Sequence, residues 1–407
     1  MSEWKKVKLG ELYEVHNGLS KGRQFFGSGY PFLTFSDVFN NWFLPETLDS
    51  LVQSSDKERE TCSIKKGDVF ITRTSETMDE LGMSSVALKD YPNATYNGFT
   101  KRLRPITDEV VPEYIGYYLR SKKFRAKFMA FSSMTTRASL ANDDLLGMEV
   151  EIPDKTIQIR IATILSRYDT LIENYQKQIK LLEEAAQRLY KEWFVELRFP
   201  GHESAKIVDG VPEGWERKKA IDFFEMSIGK TPPRAEKQWF TDGKEGVPWV
   251  SISDMKDVTY LLQTSEGLTK EACEKHNVRI VDEGAVLLSF KLTVGRVSIA
   301  GMNVCTNEAI AHFNKNGDNW REYTLLYLRN YNFDTLGNTS GISKAVNSTI
   351  VKNMPFLMPS EKVLDAFRNV EKPLFQKIKN LSFQIRLLTE ARDRLLPKLM
   401  GGKMDVF

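Results

Sequence analysis

The chain has little of what most catalytic or secreted proteins display. Its 407 residues include three cysteines, Cys62, Cys273 and Cys305, too few and too scattered for a disulfide framework. Only four histidines occur, and no Ser/His/Asp arrangement has a local signature around them. No apolar run approaches the roughly 18–20 residues that a membrane span needs. No basic start followed by an apolar stretch marks a signal peptide. These absences predict a cytoplasmic protein without membrane contact, in which the sequons at Asn93, Asn338 and Asn347 are chance matches. A charge excess of one sign is also missing, since 57 basic residues nearly balance 54 acidic ones. What remains, 41% hydrophobic and 27% charged, is ordinary globular composition on a chain long enough for at least two domains.

Nucleotide and metal motifs fail on inspection. Gly229-Lys230-Thr231 imitates the end of a P-loop, but Phe224 stands where the first glycine is required, so the phosphate cradle cannot form that way. An adenine methyltransferase needs an Asn/Asp-Pro-Pro-Tyr-like motif, and the only Pro-Pro pair is Pro232-Pro233. Cys273-x2-His276 and Cys305-x6-His312 could supply two thiolates and two imidazoles to zinc. The second spacing is loose for a zinc finger, however, and the first half has no equivalent. Buried thiols and ordinary histidines are the competing reading, and the expectation is no metal.

Self-similarity is the informative signal. Trp4-Lys5-Lys6-Val7 recurs as Trp215-Glu216-Arg217-Lys218, and Pro31 to Asp37 is echoed by Pro248 to Asp254. Gly67 to Thr72 is echoed by Gly284 to Ser289, and Tyr114 to Ser121 by Tyr323 to Asn330. The strongest match closes each half. Ile172, Gln178, Leu181, Leu182, Glu184, Ala185, Arg188 and Leu189 recur at a constant offset of 206 as Ile378, Gln384, Leu387, Leu388, Glu390, Ala391, Arg394 and Leu395. A gapless offset is what a rigid helix requires, because one inserted residue rotates everything beyond it by about 100°.

Apolar spacing supports helices there. Tyr168, Ile172, Tyr175, Ile179, Leu182, Ala186, Leu189 and Trp193 alternate steps of four and three. Leu374, Ile378, Leu381, Ile385, Leu388, Arg392, Leu395 and Leu399 do the same, with Arg392 the one break. Such a narrow heptad stripe predicts a helix-pair seam rather than a broad core face. The first helix is expected from about Arg160 to Val195, and Pro373 is placed in the first turn of the second. Elsewhere, short β-branched runs such as Asp68–Thr72, Ser85–Leu88, Ala285–Ser289 and Arg296–Ala300 alternate with turn-rich stretches. The fold class is therefore α+β, two globular modules each followed by a long helix. The expected boundaries are 1–152, 153–198, a Pro/Gly-rich linker at 199–213, 214–359 and 360–407.

In order along the chain, these pieces resemble the specificity subunits of type I restriction-modification systems. The resemblance rests on Trp4-Lys5-Lys6-Val7-Lys8-Leu9-Gly10, Trp193-Phe194, Arg198-Phe199-Pro200-Gly201, Val211-Pro212-Glu213-Gly214-Trp215 and the tail Leu395 to Val406. It covers essentially the whole chain. It implies two target recognition domains, each reading half of a bipartite, asymmetric double-stranded DNA site. The two helices are implied to pair antiparallel with pseudo-two-fold symmetry and to dock two modification subunits. The chain itself is implied to be non-catalytic and to bind no cofactor. S-adenosylmethionine, ATP and Mg belong to the partners, the methyltransferase subunits and the restriction (translocase/nuclease) subunits. A coiled-coil scaffold that assembles a complex without reading DNA is the alternative.

DNA-contacting residues should combine phosphate-neutralising cations with polar groups able to reach base edges. Three regions fit and recur in matched places. The first is Lys21 and Arg23, matched by Lys230 and Arg234. The second is Arg73-Thr74-Ser75, matched by Lys291. The third is Thr135-Thr136-Arg137, matched by Ser343-Lys344, where the family places small polar residues and a cation. The acid-free stretch from Arg120, with Lys122 and Lys123, is expected to grip phosphates. Phe124, Phe128 and Phe131 within it have the spacing of a buried helix face, not of base-stacking platforms.

A helix of 36 residues is about 54 Å long, so a helix pair would hold two reading heads a set number of base pairs apart. Inserting one heptad into both helices, about 10 Å, is expected to lengthen the unread gap by about three base pairs. Methylome sequencing of that variant checks this, and an unchanged gap refutes it.

Overall fold

A computed structural model describes residues 4–73, 80–132, 141–336 and 346–402. It falls into two compact units, Met1–Ile172 with Leu388–Phe407, and Glu173–Leu387. The first unit is built around the strand Val69–Thr72, every residue of which is buried, entered through Gly67 at φ +90°. Antiparallel pairing places it between Thr100–Pro105 and Ser84–Val86, with Tyr13–Asn17 on the outer side of Thr100–Pro105. A second small sheet joins Leu51–Val52, Phe26–Leu33 and Thr95–Tyr96, the last pair parallel.

The second unit repeats this plan with its own residues. Its buried central strand Val286–Ser289 follows Gly284 at φ +94° and lies between Ile310–Asn314 and Val297–Ala300. Glu225–Ile228 flanks one side, and Tyr260–Leu261 adds a parallel strand on the other. Its second sheet runs Phe240–Asp242, Glu266–Leu268, Val247–Val250, Cys305–Thr306. Each unit also pairs its opening strand with the strand just before its long helix: Lys5–Lys8 with Glu149–Ile152, and Glu216–Lys219 with Pro355–Met358. That pairing ties the start of each module to the foot of a helix.

The long helices are Lys155–Tyr190, of 36 residues, and Glu361–Met400, of 40. The first begins five residues before the expected Arg160, because Asp154 caps it, its Oδ1 accepting from the Ile157 N–H at 3.0 Å. It ends in a π-turn over Lys191–Val195. The second begins well before Pro373, which therefore lies in the helix interior and not in its first turn. Proline removes the hydrogen bond to the carbonyl four residues back. Here both Pro373 and Asn369 are exposed residues, so water can serve that carbonyl.

In the first unit Ile157, Ile161 and Leu165 share a core with Leu396, Leu399 and Met400. In the second, Ala186, Tyr190, Trp193 and Phe194 share one with Phe367, Phe375 and Ile378. The start of one helix thus meets the end of the other, and the pair is antiparallel. Of the seam positions, Ile172, Ala186, Trp193, Ile378, Leu381 and Leu399 are buried. Tyr168, Tyr175, Ile179, Leu182, Leu189, Leu374, Ile385, Leu388 and Leu395 are half-buried. Arg392, the break in the apolar spacing, has a partner. Its guanidinium meets Asp169 Oδ1 at 2.6 Å, and Asp169 Oδ2 also accepts from the Tyr117 hydroxyl.

A buried acidic pair lies in the second unit. Both Glu371 carboxylate oxygens, on the second long helix, and Glu322 Oε2, on Arg321–Asn330, have no hydrogen-bond partner among the described residues. Burial, and then the neighbouring Glu322, push Glu371 up to about 7. Glu322 is itself raised by burial, opposed by Arg321 and Arg368. The folded carboxyl of Glu371 holds its proton more tightly than the unfolded one, so below about pH 4.5 no charge is buried and the pH-dependent cost is absent. The cost grows as the pH rises to about 7 and is constant above. Glu371→Gln is therefore expected to leave stability near pH 4.5 unchanged and to add up to about 3 kcal/mol above pH 7. Denaturant melts at the two pH values measure this, and equal effects at both would contradict it.

Candidate nucleic-acid interface

In each unit three chain segments are tied together by backbone hydrogen bonds around one asparagine turn. In the first unit Asn97 N–H donates to Leu33 O (3.0 Å), Leu19 N–H to Tyr96 O (2.8 Å) and Arg73 N–H to Phe99 O (2.9 Å). In the second, Asn307 N–H donates to Val250 O (3.0 Å), Lys230 N–H to Thr306 O (2.9 Å) and Phe290 N–H to Ala309 O (2.9 Å). Each asparagine side chain closes its own turn, Oδ1 accepting from the N–H of Phe99 or of Ala309. Glycine is required beside each turn. A Cβ on Gly18 would sit 2.1 Å from Asn97 O, and one on Gly229 2.1 Å from Asn307 O. The first two regions singled out in the sequence are thereby brought together in both units.

The second segment is a hairpin with the same base and a different tip. Thr72 Oγ1 accepts from Met83 N–H and donates to Glu80 O; Ser289 Oγ accepts from Arg296 N–H and donates to Thr293 O. Between these bases the loop spans 73–81 in the first unit but only 290–294 in the second. Thr74 and Ser75 lie outside the described residues. So do Thr135, Thr136 and Arg137, and Ser343 and Lys344, the whole third region.

The described cations divide sharply. Arg23, Lys122, Lys230 and Lys291 are exposed, and their side chains make no hydrogen bond or ion pair with the described residues. Arg73 donates to Asn17 Oδ1 at 3.4 Å, and Lys291 Nζ lies 5.6 Å from the Phe290 ring centroid. The others are held by partners within the chain. Lys21 is paired with Glu58 at 2.8 Å and donates to Gln53 O, and this lysine holds the Glu58 carboxyl down at about 2. Arg234 Nη1 reaches both oxygens of Glu266 at 2.9 Å, over the rings of Phe240 and Trp249. Lys123 pairs with Glu151 at 2.6 Å.

Arg120 is the most fully engaged of them. Its guanidinium donates to the carbonyls of Ser84, Val38, Phe39 and Asn41 at 2.5–2.9 Å. Burial pushes it down to about 10. Its Nε and Nη2 thus staple the end of the helix Phe35–Asn40 to the strand Ser84–Val86. The matched Arg329 likewise serves Thr259 Oγ1 and Val297 O.

Two of the zinc-like residues, His312 and Cys305, are engaged otherwise. His312 has Nδ1 2.8 Å from Ser227 Oγ and Nε2 2.7 Å from Thr306 Oγ1, and burial lowers it to about 4. The neutral ring thus links the strand before Gly229 to the asparagine turn. Cys305 is buried with Sγ against Pro248 O. Among the described residues no three His, Cys, Asp or Glu side chains are grouped to hold a metal. No described helix is long and apolar enough to cross a membrane.

Two sheet modules with equivalent pinned loops, each closed on the same pair of helices, define a duplicated recognition protein. The family model for the type I restriction modification DNA specificity domain matches residues 1–184 and again 212–380. The chain is 26% identical over 423 residues to the type I restriction enzyme MjaIX specificity subunit of Methanocaldococcus jannaschii, spanning 99% of this chain and 94% of that one. It is 24% identical over 474 residues to the HindI specificity subunit of Haemophilus influenzae, spanning 99% and 100%. The fold matches the crystal structure of a type I restriction-modification S subunit from M. genitalium, with TM-score 0.56, 14% identity and 98% and 96% coverage. The chain belongs to the type I restriction-modification specificity family, whose DNA specificity domain it carries twice. Its function is DNA-target recognition within such a system.

Arg120→Ala leaves four carbonyls without their donor, and is expected to cost about 3 kcal/mol of stability. Below the melting transition its DNA affinity and salt dependence are expected to match the parent. A drop in salt slope without loss of stability would instead make Arg120 a phosphate contact.

Proposed function

We propose that the two loop clusters read the two unlike parts of a bipartite double-stranded DNA target. One observation carries the reading: the loop bases are pinned by the same bonds in both units, while the tips differ in length and side chains. A shared base with divergent tips is what two readers of different sequences need. Arg23 in the first cluster, and Lys230 and Lys291 in the second, supply cations for the DNA backbone or for guanine edges. In this reading the chain performs no chemistry and binds no cofactor. Two modification subunits bring S-adenosylmethionine, and restriction subunits bring ATP and Mg, all in the cytoplasm.

The helices support docking of two like partners. Leu181 and Leu387, related by the offset of 206, are apolar yet 65% and 46% exposed. Near them the matched pairs Glu184–Arg188 (3.7 Å) and Glu390–Arg394 (3.9 Å) form the same i,i+4 contact. Equivalent exposed side chains on both helices suit two copies of one partner.

The test is the double variant Lys230→Ala/Lys291→Ala, co-expressed with modification subunits and read by methylome sequencing and binding. Affinity for the target is expected to fall at least tenfold and the salt slope by about 2, with relaxed specificity in one half of the site only. Unchanged affinity and an unchanged motif would refute the reading.

A further inference from the structure

The hairpin tip of the second unit carries an apolar side chain with no structural employment. Leu292 is 98% exposed and its backbone is left-handed, at φ +60°. A leucine gains nothing from water, and its Cβ makes this backbone region costly where Asn or Gly would be at ease. Most other non-glycine residues with positive φ among the described residues are Asn or Asp: Asn93, Asp209, Asp257 and Asn277. Leu197 is the other exception, and it is half-buried. Local folding therefore does not explain Leu292, and strain of this kind points to a functional role.

The tip is also stiffly mounted. Ser289 is fully buried and ties the base from both sides, through Thr293 O and Arg296 N–H, while Gly295 N–H bonds to Ser289 O at 2.9 Å. Phe290 is buried, its N–H fixed to the turn that also bears on Lys230. The loop thus presents Leu292 outward beside two exposed cations, Lys291 and Lys230, which form no ion pair or side-chain hydrogen bond among the described residues. One leucine with the partly exposed Val294 is too small an apolar area for a protein interface. Basic flanks around one projecting aliphatic group match the way proteins wedge a side chain between stacked base pairs.

We propose that Leu292 is an apolar wedge that enters a base-pair step at the half-site read by the second unit. Its natural ligand is a flexible pyrimidine–purine step, whose unstacking costs least, so the wedge adds specificity at bases that form no hydrogen bond with it. This rests on the reading of the loop cluster as the DNA face.

The experiment uses the full chain assembled with its modification subunits, and a duplex of the methylome-defined target. 2-Aminopurine is placed at successive steps, avoiding the modified adenine. With the parent chain, fluorescence should rise several-fold at one step of the second half-site. Leu292→Met should keep this signal. Leu292→Asn, which suits the left-handed backbone, should lose it and bind ten- to a hundredfold more weakly, with a melting temperature equal to or above the parent's. An abasic site at that step should restore the lost affinity. If Leu292→Asn binds and fluoresces like the parent while Lys291→Ala binds more weakly, the wedge is wrong and the DNA face stands. If both variants bind like the parent, the DNA face itself is wrong.

Discussion

The sheet modules close their cores on side chains that the long helices contribute. Ile161 and Leu165 lie in the same apolar cluster as Val69 and Ile71 of a central strand, and Leu399 of the other helix joins them. Tyr190, Phe194 and Phe367 do the same for Val286 and Leu288. Each buried aromatic contributes on the order of 2–3 kcal/mol, so several together are comparable with the net stability of a domain. A single-residue insertion in a helix would turn later contacts by about 100° and remove them from the core they fill. The gapless offset of 206 follows from this constraint. Modules joined by turns have no such restriction and drift in register.

The same economy governs charge. A DNA-reading protein with a net charge of only +3 is less odd once its cations are sorted by partner. Lys21, Arg234 and Lys123 are neutralised by Glu58, Glu266 and Glu151, and Arg104 is held bidentate by the buried Asp68. A cation already paired to a carboxylate displaces few counterions from DNA, because binding must first break the pair. Glu58, held near 2, stays ionised throughout the working range, so its pair with Lys21 persists. Pairing these cations limits indiscriminate binding, which is the quantity a specificity protein must keep low.

Much of the architecture was legible in the sequence because it is periodic or repeated. Heptad spacing marked both helices, and matched Gly-Asp/Ala and Lys/Arg segments marked loops that do converge. The errors have a common physical origin. Arg120 and Lys122 look alike in a basic run, yet four carbonyls from distant segments claim one and, among the described residues, none claims the other. Lys21 and Arg23 are separated by one glycine, but among the described residues only Lys21 meets a carboxylate. Tertiary partners do not show in composition. The start of the first helix was missed because Asp154 was not read as a cap, and Pro373 was misplaced because the second helix begins before its heptads do. Asn97 and Asn307 were detectable in principle, as matched asparagines following β-branched or aromatic strands. Leu292 was not, since nothing in its neighbours announces a left-handed backbone.

If the loop clusters read DNA as proposed, the arrangement of pins and tips lets one frame serve different targets. Every bond that fixes the hairpin base uses a backbone group or the hydroxyl of Thr72 or Ser289, and the central strand beneath is wholly buried. Changes of length beyond that base leave the sheet untouched, as loop closure costs rise only slowly with length. The two units already display the range, one hairpin of 73–81 and one of 290–294 on the same mounting. A stiff base also lets the short tip hold a residue in a strained conformation, because the ties at Ser289 deny it the relaxed alternatives. On the proposed reading, stability resides in the mounting and target choice in the tip, so selection can alter the second without undoing the first.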